Sequence, residues 1–235
     1  MMDYQSTQDA IKSIASSSHK IWTTATFVFC LSVLALSGCA LPDKPTRAAM
    51  YDFGPGQLST LPTPRQAVLP PLAIDEITTS GGAIDNLAVL YRLGYADAQQ
   101  LRPYSQARWS MPPAQLVHQR LLAQLAQRRA VFNAGSSMAL NRNQNSALPL
   151  RLRIELEEFS QLFSAADVSV GLIRLRATLV DITPAGEKLL GQHSVVVQRP
   201  AISADAPGGV RALTAATDAA IEELDQWLQK APSRP

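Results

Sequence analysis

A thiol at Cys39, imidazoles at His118 and His193, and carboxylates at Glu155, Glu157 and Glu158 are the groups in this 235-residue sequence whose types and spacing could do chemistry. A hydrolase needs a nucleophile, a base and a group to orient the base. Beyond residue 39 the chain offers two histidines, no further cysteine and no Gly-x-Ser-x-Gly turn. His118 stands two positions before Arg120 in a predicted helix, and His193 stands between Gln192 and Ser194 in a predicted strand. Both read as surface or capping side chains. Strand alternation makes Glu155 and Glu157 a solvated row rather than an acid/base pair. The glycine pairs Gly81-Gly82 and Gly208-Gly209 read as loop glycines. They lack the lysine and hydroxyl of a phosphate-binding loop and the spacing of a dinucleotide fingerprint. No enzyme activity, cofactor or metal is expected.

Cys39 points to different chemistry. Residues 21–36 carry no charge, follow Lys12, His19 and Lys20, and end in Ser37, Gly38 and Cys39. A spanning helix needs ~20 predominantly apolar residues, and this shorter run breaks at once into Gly38, Pro42, Asp43, Lys44 and Pro45. It reads as a signal peptide over residues 1–38. Leu36-Ser37-Gly38-Cys39 resembles the bacterial lipobox. That resemblance implies acylation of Cys39, with palmitate among the chains, and cleavage after Gly38. Each buried methylene contributes ~0.8 kcal/mol, so two or three acyl chains hold a protein on a bilayer. Ala40 stands where aspartate would resemble an inner-membrane retention signal, which favours the periplasmic face of the outer membrane. The other cysteine, Cys30, leaves with the signal, so no disulfide is expected in the folded part.

The composition suits one domain on a tether. At 46% hydrophobic and 17% charged, the chain is neither fibrous nor wholly disordered. Its net charge of +2 comes from 21 basic and 19 acidic residues without a Lys/Arg run, so nucleic acid is not an expected partner. Residues 39–65 contain Pro42, Pro45, Pro55, Pro62 and Pro64 and read as a lipidated tether without regular structure, within which residues 51–54 can dock locally. The domain is expected over 66–230, with a tail at 231–235.

Within the domain, strands are predicted at 67–78, bent at Pro70-Pro71, and at 87–95, followed by an irregular segment to Trp109. Pro112-Pro113 opens a helix through Arg129, where Val117, Leu121 and Leu125 recur at spacing four and Arg128 and Arg129 complement the dipole. Leu152, Ile154 and Leu156 alternate with charges in a strand over 150–163. A second strand over 168–182 aligns Ile173, Leu175, Ala177 and Leu179, and a turn at 164–167 lets Arg174 and Arg176 pair with Glu155 and Glu157. A third strand at 188–199 follows a turn at 183–186. A helix over 210–229 presents Leu213, Ala216, Ala220, Leu224 and Trp227 on one face. The expected fold class is α+β: a single, mostly antiparallel sheet of about five strands with two helices packed on one face.

One segment is unusual in composition. Tyr91-Arg92, residues 95–104 (YADAQQLRPY), Arg108-Trp109 and Pro112-Pro113 are awkward as plain core. Together with residues 152–159 (LRIELEEF), residues 175–179 (LRATL) and Ala216-Thr217-Asp218, they resemble the ABC-type transport auxiliary lipoprotein family over about residues 48–230. The resemblance implies a non-catalytic periplasmic component of a lipid-transport system that pairs an ABC permease and ATPase with a substrate-binding protein of the mammalian-cell-entry (MCE) type. It implies docking of that MCE protein, a ring-shaped homo-oligomer, and phospholipid or another hydrophobic molecule as the cargo. It supplies no catalytic residues.

Tyr, Trp and Arg combine large contact area with polar ends and are enriched at binding hot spots. Tyr91, Arg92, Tyr95, Arg102, Tyr104, Arg108 and Trp109 are therefore the candidate partner-binding residues. Each also has a structural reading: tyrosines half-buried in a strand, Arg92 satisfying loop carbonyls, Trp109 sealing the sheet against the first helix. A lipid-binding carrier with an apolar groove and an outer-membrane assembly lipoprotein with a β-barrel partner remain open alternatives. Cys39→Ala is expected to abolish both incorporation of labelled palmitate and cleavage after Gly38, read by labelling and intact mass. A labelled variant would exclude Cys39 as the acceptor.

Overall fold

The computed structural model describes residues 47–56, 69–133 and 148–231. The signal peptide, Cys39 and most of the tether lie outside them. Three strands fold as expected. The strands β7 (Leu150–Phe163), β8 (Ser169–Thr183) and β9 (Gly186–Pro200) form an antiparallel meander. Its second turn closes with Thr183 opposite Gly186, where φ of 120° favours a residue without Cβ. Leu152, Ile154, Leu156, Ile173, Leu175, Ala177 and Leu179 are all buried, and Arg174 and Arg176 are exposed on the other face. The expected cross-strand pairs form: Arg174 with Glu157 at 3.1 Å, and Arg176 with Glu155 and Glu157.

The remainder of the sheet corrects the expectation of about five mostly antiparallel strands. Among the described residues it is a mixed sheet of nine strands. The free edge of β7 receives β2 (Leu72–Ile74), β3 (Thr78–Thr79) and β4 (Ala88–Leu93) in chain order, all parallel to it. They are registered at Leu72 opposite Leu150, Thr78 opposite Glu155 and Tyr91 opposite Gln161. β6 (Val131–Asn133) flanks β2. The segment expected to be irregular is β5 (Asp97–Trp109), antiparallel to β4 with two register shifts. Among the described residues its outer edge meets only β1 (Ala49–Tyr51), opposite Ala107, Arg108 and Trp109, so there Pro103 faces no partner strand on that side and is tolerated. β1 itself lies in the stretch expected to lack regular structure. Beyond it Phe53 does dock, with its ring 5.8 Å from Trp109 and 6.1 Å from Phe159.

Two helices cover the sheet. The first, α1 (Pro113–Leu125), buries Leu116, Val117, Leu121 and Leu125. It ends before Arg128 and Arg129, which serve not its dipole but the second helix, reaching Asp225 at 3.4 and 2.6 Å. Arg120 adds a bidentate pair to Asp218. The second helix, α2 (Ala206–Lys230), packs across β7, β8 and β9 and buries Leu213, Ala216, Ala220, Ile221 and Leu224, with Trp227 only partly covered. Each large apolar side chain so buried contributes about 1.5–3 kcal/mol. Asp205 caps α2 by accepting from the Gly208 amide at 2.7 Å, so Gly208 and Gly209 lie inside the helix rather than in a loop. Among the described residues no helix is long and apolar enough to cross a membrane.

Close approach of α2 to β8 depends on Gly171, where a Cβ would stand 2.5 Å from the backbone of Ala212 and Leu213. Helix backbone cannot yield as a flexible side chain can. Gly171→Ala is therefore expected to destabilise the fold by about 2 kcal/mol or more, measured by chemical denaturation.

Candidate functional site

The candidate residues divide between a core position, a buried polar network and an open groove. Trp109 is 1% exposed and packs its ring against Phe53 and Phe159, so it offers no surface to a partner. This packing requires Phe159 on the inner face. An extra residue at Glu157 arranges that. The register shift between Leu156 and Glu158 reverses the alternation of β7, so that Phe159, Gln161 and Phe163 take the helix side.

Glu158 consequently falls on the opposite face and is held by Arg92, whose Nε and Nη2 donate to the two carboxylate oxygens at 3.1 and 3.0 Å. Arg92 Nη1 also donates to the Ala98 and Gln99 carbonyls, and the Ser160 hydroxyl donates to Glu158 at 2.6 Å. The bidentate pair clamps the β4–β5 hairpin to β7. Arg92 is thus occupied by a carboxylate and by carbonyls of β5, where its structural reading expected loop carbonyls.

On the helix side, the Tyr91 and Tyr104 rings are 4.6 Å apart. The Tyr104 hydroxyl donates to Gln161 Oε1 at 2.9 Å, and Gln161 Nε2 donates to Ser169 Oγ at 2.7 Å. Gln161 is 0% exposed, wedged beneath Gly209 of α2, which has no Cβ to displace it. Burial is the main cause that pushes the Tyr104 hydroxyl up to about 12, with smaller contributions from Tyr91 and Asp205. Sequence reasoning missed Glu158, Gln161, Ser169 and Phe159 as partners because each contact follows from sheet register and the bulge, which leave no local mark.

Tyr95, Arg102 and Arg108 remain toward solvent. Tyr95 is 52% exposed in the β4–β5 turn, and Arg102 binds the side chain of Gln100. Arg108 Nη1 donates to the Tyr104 and Ala107 carbonyls. It also borders an open groove of about 530 Å³ with Ala83, Leu87, Leu90, Leu101 and Pro103. Apolar walls with one guanidinium at the rim can accept an apolar side chain or tail beside an anionic or carbonyl group.

The two histidines stay outside this arrangement. His193 stacks on Trp227 at 5.5 Å and contacts Glu223, tying β9 to α2. His118 has a buried Nε2 without a hydrogen-bond partner, and burial holds its pKa below the usual value against an opposing effect of Glu76. Among the described residues no group of three or more His, Cys, Asp or Glu could hold a metal ion.

Comparison with known proteins places this fold. The solved structure of a Xanthomonas campestris protein of the DUF330 family model is 18% identical, covers 77% of this chain and 94% of its own, and superposes with a TM-score of 0.59. An uncharacterized protein of 11% identity covers 77% and 99% with a TM-score of 0.54. These likenesses show a shared α+β fold. No curated protein matches. The family model described as ABC-type transport auxiliary lipoprotein component matches residues 51–224, and the chain belongs to that family.

Because the folded-state pKa of Tyr104 is raised, its contribution to stability is complete below pH 10 and is lost as pH rises toward 12. Ultraviolet titration should show a tyrosine ionisation near 12. Tyr104→Phe should remove that step, flatten the stability loss across this window, and cost about 1 kcal/mol at neutral pH through the unpaired Gln161.

Proposed function

We propose that this chain is the outer-membrane-anchored, periplasmic auxiliary component of an ABC transport system for phospholipid or another hydrophobic compound. It docks the MCE-type substrate-binding protein of that system, in partnership with the ABC permease and ATPase, and catalyses no reaction. It works as a ring-shaped homo-oligomer held on the membrane by acylated Cys39.

The observation that carries this reading is the open groove beside Arg108 on a chain of the auxiliary lipoprotein family. Docking needs an accessible apolar surface with a few polar anchors, and this surface is built from β4, β5 and the connection that leads into β4. Of the candidate residues, Arg108 borders the groove, while Tyr91, Arg92, Tyr104 and Trp109 shape the hairpin that presents it. The apolar lining of the same groove favours a second reading, a periplasmic carrier that loads lipid itself.

A pull-down of the full lipoprotein from detergent-solubilised membranes, with proteins and lipids both identified by mass spectrometry, separates the two. The expected result is an MCE protein without stoichiometric lipid, recovered severalfold less with Leu87→Glu. Leu87 is 44% exposed at the groove wall, so this change tests the surface without unfolding it. Stoichiometric lipid with no MCE partner would overturn docking and make the protein the carrier.

A further inference from the structure

Register assembles a second surface that the docking reading does not use. Asp97, Leu93, Phe163 and Ser169 lie in one row across the sheet, since Leu93 is opposite both Asp97 and Phe163, and Phe163 is opposite Ser169. The row continues to Ala201, whose amide donates to the Ser169 carbonyl at 2.9 Å. Beyond it the chain turns back three times, at residues 94–96, 164–168 and 202–205. Each connection carries one large exposed apolar side chain: Tyr95 at 52%, Val168 at 52% and Ile202 at 78% exposure. Three separate segments thus bring apolar tips to one end of the sheet.

The path of the chain says what meets that end. β1 runs parallel to β5 with Ala49 opposite Ala107, so the residues before Ala49 arrive from the side of Asp97, the side of the row. Arg108 is opposite Ala88, and the strand from Ala88 to Leu93 in the row spans about 17 Å. In the other direction, from the level of Glu158 to the start of β7 at Leu150, the sheet extends roughly 27 Å. The chain from Cys39 to Ala49 spans at most about 35 Å. That length exceeds the distance to the row end, the side from which Arg47 and Ala48 lead into β1.

We propose that this end of the domain faces the bilayer, with Tyr95, Val168 and Ile202 seated at the headgroup level of a zwitterionic lipid surface. The inference rests on acylation of Cys39 as read above. A tyrosine suits such a boundary, with an apolar ring and a polar tip, and the two aliphatic side chains add area that water otherwise covers. The charges at this end select the headgroup. Asp97, Asp167 and Asp205 stand there against Arg199 and Arg211, the latter acting on Asp205. Asp97 accepts from the Gln99 amide, and Asp205 accepts from Gly208 and Ser203. An acidic excess is repelled by anionic lipid and tolerated by zwitterionic lipid.

The test uses the full acylated lipoprotein reconstituted in phosphatidylcholine vesicles. Tyr95→Cys, Val168→Cys and Ile202→Cys each receive an environment-sensitive fluorophore, and Leu189→Cys, 63% exposed toward the opposite end, serves as the comparison. Vesicles are made with and without a lipid carrying a nitroxide quencher near the headgroup. Quenching at positions 95, 168 and 202 several times that at 189 is the expected result. Equal quenching at all four, none at any, or the strongest at 189 overturns the orientation. Flotation of the same samples keeps the two readings apart: protein that floats but stays unquenched defeats the orientation alone. Protein that does not float defeats the anchor and the orientation with it.

Discussion

The structure depends on the double pairing of one strand. β7 is bonded along one edge to β8 and along parts of the other to β2, β3 and β4. The three short strands could not hold their own positions, because each contributes only a few residues to the ladder. β7 supplies a common template, and the order of its registers sets where the first half of the domain lies. The bulge at Glu157 gives the template two faces in succession. Before it Leu152, Ile154 and Leu156 face the core, and after it Phe159, Gln161 and Phe163 do.

The helices respond to that template. α2 can lie close to β8 because Gly171 adds no side chain between them, and close to β7 because Gly209 leaves room for Gln161. The amide of Gln161 then satisfies both Tyr104 and Ser169, so a polar side chain sits at 0% exposure without leaving a donor or acceptor stranded. α1 is joined to α2 through Arg120 with Asp218, and the turn after α1 through Arg129 with Asp225, partly shielded pairs whose loss would leave a charge without its partner. Charge therefore fixes helix to helix, while apolar contact fixes helix to sheet.

Function in an auxiliary lipoprotein is a matter of surfaces, and this fold separates them by rigidity. The β4–β5 hairpin is clamped at Arg92 and Trp109, and the groove it borders inherits that order. The connections bearing Tyr95, Val168 and Ile202 lie beyond the last sheet row, where side chains have few neighbours. A membrane and a protein partner would then meet the domain at different places, so that one anchor and one docking event need not compete.

How much of this was legible in the chain follows from where each signal lives. The meander at 150–200, the inner faces of both helices and the outer Arg–Glu pairs are local periodicities, and they were readable because alternation and spacing four are properties of consecutive residues. The likeness of the segment from Tyr91 to Trp109 to its family was equally a property of consecutive residues. β5 reads as irregular because Pro103 and two register shifts erase its alternation, and β1 because a strand this short carries no period. The parallel pairings of β2, β3 and β4 join residues some seventy to eighty positions apart (Thr78 with Glu155, for instance) and depend on which edge of β7 stays open. Sequence by itself determined which residues prefer burial and which segments extend or coil. Only the tertiary structure decided that Trp109 is core, that Arg92 serves Glu158, that Arg128 and Arg129 serve Asp225, and that three distant turns share one end. A contact between remote residues is set by register, and register is settled only when the strands meet.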